Sequence, residues 1–135
     1  MWTGPPPAWN QTVSGTDNIQ TAVMRVLNGS KNVHLRWNYR LLDGQNILLT
    51  TFSILSGNNE PKVLGNVVNG NPIYEKDEYK TRFSISSTDD FSILTINTVM
   101  ERDNTTFQCK IYPGKHWAYN IRLEVTGINR FSLFP

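Results

Sequence analysis

The stretch from Arg82 to Tyr112, RFSISSTDDFSILTINTVMERDNTTFQCKIY, constrains this chain more than any other. From Arg82 to Ser86 and from Phe91 to Ile96, apolar residues fall largely on every second position: Phe83 and Ile85, then Phe91 and Ile93, with Leu94 and Ile96 on the opposite phase. Period two is the signature of a half-buried strand, because successive side chains leave opposite faces of the pleat. The change of phase predicts either a bulge or a strand covered on both faces. Ser87-Thr88-Asp89-Asp90 supplies the turn between the two runs, and Asp103-Asn104 does the same before a third run, Thr105 to Tyr112.

These residues resemble strands D, E and F of a variable-type immunoglobulin domain: R-F-S-I-S, then F-S-I-L-T-I, then Asp103 four places before Phe107 and six before Cys109. The resemblance implies an all-β fold, an immunoglobulin-like V-type antiparallel β-sandwich with Greek-key connections. It implies that Arg82, opening strand D, pairs with Asp103 of the E to F turn. Phe107 holds the position of the tyrosine that opens strand F, where it keeps a packing role but has no hydroxyl to donate. The pattern is specific for fold and silent about ligand.

Residues 1–18 form a Pro-rich segment and strand A lead-in, with Pro5-Pro6-Pro7 stiff and unable to donate backbone hydrogen bonds. Residues 19–126 are the V-type domain, and 127–135 a C-terminal linker with apolar Ile128, Phe131, Leu133 and Phe134. Ile19 to Leu27 adds a second part of strand A, ended by the Asn28-Gly29 turn. In Asn32 to Tyr39, Val33, Leu35, Trp37 and Tyr39 share one face, and Trp37 stands where the family's first cysteine belongs. Cys109 therefore faces an indole rather than a thiol, as a buried small apolar residue. Ile47 to Leu55 reads as strand C. The family's core tryptophan is absent from it, and Phe52 is the substitute. With Phe52 inward, Leu48, Thr50 and Ile54 point inward too, leaving Ile47, Leu49 and Leu55 outside. Lys62 to Val68 reads as C′ and Ile73-Tyr74 as C″, the extra pair of the variable type. Glu75 to Lys80 reads as a solvated connection. Trp117 to Val125 is strand G, with Ile121, Leu123 and Val125 inward.

A single cysteine forbids an intrachain disulfide, which is unusual for an extracellular sandwich. Three N-glycosylation sequons, at Asn10, Asn28 and Asn104, each in a turn or chain-end position, point to an extracellular location all the same. The start Met1-Trp2-Thr3-Gly4-Pro5 lacks the basic and apolar parts of a secretory signal, and no apolar run approaches membrane-spanning length. The expectation is a processed or excised ectodomain of a cell-surface membrane protein, with a secreted protein as the alternative.

The functional classes narrow accordingly. A charged fraction of 18% and a net charge of +2, without basic runs, argue against nucleic acid. His34 and His116 lack metal-ligand spacing, and no nucleophile, paired-carboxylate or phosphate-loop arrangement is present, so neither an enzyme nor a cofactor is expected. The expected activity is recognition of a protein through the G-F-C-C′ face: Gln108, Lys110, Tyr112, Asn120 and Arg122, with Lys115, His116 and Trp117 at one end. For Trp117 a second reading stands beside this one, in which it and Tyr119 cap the sandwich core. Loss of the usual Cys and Trp, with Trp37-Asn38-Tyr39 in strand B, is similar to some invertebrate allorecognition receptors, implying a partner that is a copy or a related immunoglobulin-superfamily receptor. The alternatives are a glycan-binding module, since Lys110 is similar in placement to the basic residue of sialic-acid-binding immunoglobulin-type lectins, and a structural spacer.

Overall fold

The computed structural model describes residues 20–41, 44–57, 60–112 and 117–127. Among them nine strands form two sheets. The larger sheet has, in spatial order, β1 (Gln20–Leu27), β9 (Trp117–Thr126), β8 (Thr106–Tyr112), β3 (Leu49–Leu55), β4 (Pro61–Val68) and β5 (Asn71–Tyr74). The smaller sheet has β2 (Lys31–Asn38), β7 (Phe91–Thr98) and β6 (Phe83–Ser87). The chain changes sheet after β1, β2, β5 and β7. This is the Greek-key sandwich of the variable-type immunoglobulin fold, and β4 and β5 are the pair that distinguishes it from the constant type. Every pairing is antiparallel except β1 with β9, which run in parallel.

Alternation builds the core. In β2, Val33, Leu35 and Trp37 are buried between exposed or half-buried neighbours, and β9 buries Trp117, Tyr119, Ile121, Leu123 and Val125 in the same rhythm. Between the sheets, the Trp37 and Phe52 rings meet at 5.9 Å and the Phe83 and Phe107 rings edge-on at 6.4 Å. Each such pair adds about 0.5–1.5 kcal/mol beyond the area it buries. Cys109 is free and fully buried, and Ser92, the register partner of Trp37, hydrogen-bonds its thiol. The hydroxyl of Ser92 also lies 2.9 Å from those of Tyr39 and Ser87, and Ser87 lies 2.6 Å from Thr50. Tyr39 donates to the Thr88 carbonyl at 2.6 Å. The Cys109 sulfur therefore lies beside a bonded hydroxyl cluster, on a strand whose register places it between Phe52 and Tyr119.

Several sequence expectations are corrected. Leu48 is 62% exposed instead of pointing inward, while Ile47 packs against the core instead of facing out. The ladder of β3 begins only at Leu49, and Ile47 donates its N–H to Asp89, which turns the preceding residues out of the strand's alternation. Glu75 to Lys80 is not merely a solvated connection: a short helix, α1 (Asp77–Arg82), forms there and buries Tyr79. Arg82 ends that helix, and the strand it was expected to open begins at Phe83.

The phase change in β7 is not a bulge, because its registers with β2 and β6 run unbroken. Ser92, Leu94 and Ile96 face the core, and the outward Phe91 is half-covered by the Arg36 guanidinium, 4.1 Å from its ring centroid. The bulge lies instead between β3 and β4, where Leu64 is the extra residue beside Gly65, itself opposite Phe52. A Cβ on Gly65 would stand 2.8 Å from the Ile73 carbonyl oxygen and 2.9 Å from Ile85 Cδ1, so the close approach of β5 requires glycine.

Candidate recognition face

The outer face of the six-stranded sheet is built by register. Lys110 lies between Ala118 of β9 and Thr51 of β3, and Thr51 donates to Asn66 of β4 at 2.7 Å. Gln108 lies between Asn120 and Ser53, and its amide donates to Asn120 at 3.2 Å. Tyr112 is opposite Leu49, which is opposite Val68, and Arg122 is opposite Thr106 and next to Val23 of β1. Lys110, Tyr112, Asn120 and Arg122 thus share one surface, whereas Gln108, expected there too, lies on the same side of the sheet but is buried at 6% exposure between Asn120 and Ser53.

The other expected members do not join it within the described residues. Trp117 pairs with Ile111 and points into the core, 5% exposed, with Tyr119 likewise buried at 7%. Of its two readings, core capping is the one the register selects. Lys115 and His116 lie outside the described residues, as does the sequon at Asn10. Asn28 and Asn104 are exposed, in turns at the end of the sandwich where β1 and β9 finish and β8 begins.

The face also has an apolar half, on the strand whose outward apolar residues imply a face either covered by a neighbouring segment or used for contact. Leu49, Val68 at 36% exposure and Ile73 at 54% form an apolar strip with Tyr112 toward the opposite end from the two sequons. Its signal was the surplus of apolar residues in strand C, which left some outside on either phase. Polar and charged groups occupy the β8 and β9 side. Among the described residues, Lys110 and Arg122 have no hydrogen-bond or ion-pair partner, whereas Glu124 is held by Arg25 at 2.9 Å on the β1 edge. An apolar patch beside a polar, cationic rim is the anatomy of a protein interface.

No group of three or more His, Cys, Asp and Glu residues among those described is placed to hold a metal ion. No helix among them is long and apolar enough to cross a membrane.

No family model matches the chain, and no curated protein matches it. Among solved structures it is similar to murine CRIg, with a TM-score of 0.63 and 17% identity, covering 78% of this chain and 91% of that one. It is also similar to a structure from work on multimeric cell-adhesive interactions of VGSC beta subunits, with a TM-score of 0.62 and 14% identity over the same shares. At these identities the likeness is one of fold.

Proposed function

We propose that this domain is an extracellular recognition module whose six-stranded outer face pairs with a copy of itself or with a related immunoglobulin-type receptor at a cell surface. The observation that carries this reading is the separation of the face into an apolar strip, Leu49, Val68, Ile73 and Tyr112, and a cationic side with unpartnered Lys110 and Arg122. A two-fold axis through the strip stacks apolar on apolar and sends the cations of the two copies to opposite rims, so self-pairing meets no like-charge conflict. Six strands about 4.8 Å apart and about seven residues long at ~3.4 Å each present on the order of 700 Å² in projection. A standard interface takes about 800 Å² from each partner.

Two further observations support the reading. Glycans on Asn28 and Asn104 would sit at the far end of the sandwich and leave the strip open. The fold is shared with a protein studied for cell-adhesive interactions. An allorecognition receptor is the finer form of this proposal, with the domain placed distal to the membrane.

Beads of two colours coated with the domain test the proposal by mixed aggregation, which a Val68→Asp coating should abolish. Glycan recognition is the second reading, favoured by the unpartnered ammonium of Lys110. Beads that stay dispersed while the domain binds an acidic glycan, with binding lost in Lys110→Ala, would put that reading in its place. Dispersed beads without glycan binding would leave the spacer.

A further inference from the structure

Away from the recognition face, a cavity of about 350 Å³ opens at the sandwich end that holds the Asn104 turn. Lys62 of β4, Glu78 and Tyr79 of α1, Arg82 at the helix end and Arg102 in the 3₁₀ turn Glu101–Asp103 converge on it. Ile54 and Phe83 supply apolar wall. These residues come from four separate stretches of chain, so only the fold brings them together.

Two properties of the lining stand out chemically. The first is charge. Asp103 also borders the cavity, but its carboxylate is already occupied, accepting from Arg82 at 2.7 Å and from the Met100 N–H at 2.8 Å. Lys62 and Arg102 are exposed and have no ion pair among the described residues, leaving Glu78 as the one unpaired carboxylate against them. Arg82 is held in place by Asp103 and by its position 4.8 Å over the Phe83 ring. The second property is an unmade hydrogen bond. Tyr79 is 7% exposed, and its hydroxyl is buried without a partner, whereas Tyr39, the other tyrosine hydroxyl set in a buried cluster, is fully engaged. A buried hydroxyl without a partner lowers stability, so its presence on a cavity wall needs an account.

We propose that this cavity binds a compact organic anion: one carboxylate or sulfate on a small, partly apolar body. The volume is at the small end of ligand sites, which suits one ring rather than an extended chain. Arg102 and Lys62 meet the anionic group, Ile54 and Phe83 carry the body, and the Tyr79 hydroxyl donates to a ligand oxygen. The site is distinct from the self-pairing face, and either can fail without the other.

Calorimetric titration of the intact chain with glucuronate, benzoate, inorganic sulfate and neutral glucose tests it. Saturable binding of glucuronate identifies a sugar acid, and of benzoate an aromatic acid, with glucose silent in both cases. The double variant Lys62→Gln/Arg102→Gln, at exposed positions that leave the core intact, should weaken binding about tenfold or more. Tyr79→Phe should weaken binding while raising the melting temperature, a pairing that a purely structural tyrosine would not give. Absence of binding by both organic acids at millimolar concentration overturns the proposal. So does sulfate binding as tightly as either acid, or an affinity unchanged in Tyr79→Phe.

Discussion

Nη2 of Arg82 lies 2.7 Å from Oδ2 of Asp103, tying the helix before β6 to the turn before β8. The two ends of this pair are unequally exposed: the Asp103 side chain is 2% exposed and that of Arg82 17%. Arg82→Met leaves a buried carboxylate with only the Met100 N–H, and should cost about 3–5 kcal/mol. Asp103→Ala frees a guanidinium that reaches water more readily, and should cost less. Urea denaturation of the two variants checks the order.

The fully buried Cys109 is a small group, whereas Trp37, 1% exposed, fills the space between sheets against Phe52. Cys109→Ala should cost about 1–3 kcal/mol and Trp37→Ala about 3–5 kcal/mol, by the usual cost of deleting buried volume. A denaturant series in which Cys109→Ala is the more damaging would show that the sulfur carries more of the core than its size implies.

Burial holds the Cys109 thiol and the Tyr39 phenol well above their ordinary values of 9.0 and 10.0. Both pKa values are raised in the folded state, so the unfolded chain releases these protons first. Stability is fully present below pH 9 and falls above it, by about 1.4 kcal/mol per pH unit for the thiol and by as much again for the Tyr39 phenol once its own range is reached. The same direction of shift at Tyr119 adds to the loss in the tyrosine range. Cys109→Ala should move the onset of the loss up to that range. Unfolding free energies measured from neutral to alkaline pH, for wild type and variant, provide the comparison.

Gly65→Ala would place a methyl group against the Ile73 carbonyl and Ile85. The backbone must shift to admit it, at about 1–3 kcal/mol. Gly57→Ala meets no atom within 4 Å and should stay within about 0.5 kcal/mol of wild type. Melting curves of the pair separate a required glycine from a tolerated one.

How far these features were legible in the sequence follows from their range along the chain. The inward faces of β2 and β9 could be read from alternation alone, because each strand is half-buried along most of its length, whereas in β8 the outward Gln108 is buried as well. Helix α1 could not: six residues with one apolar side chain, Tyr79, are too short to show a 3.6-residue period. The strand C phase failed at Ile47 and Leu48 because periodicity cannot tell where a ladder starts, and here β3 begins at Leu49, with the Ile47 N–H bonded to the Asp89 side chain instead. The β4 bulge had a signal, the isolated Gly65 inside the strand Pro61–Val68. Trp117 stayed ambiguous until its pairing with Ile111 fixed the side it faces. The cavity at Tyr79 had no local signature at all.

Sedimentation velocity across a micromolar concentration series tests the self-pairing face most directly, using two matched substitutions on the same sheet surface. Val68 lies in the apolar strip at 36% exposure, and Val23 lies on the β1 edge at 39%. The account predicts a wild-type sedimentation coefficient that rises with concentration toward that of a dimer, a rise abolished by Val68→Asp and preserved in Val23→Asp. A wild-type chain that stays monomeric throughout, or a dimer that Val68→Asp leaves intact, would contradict it.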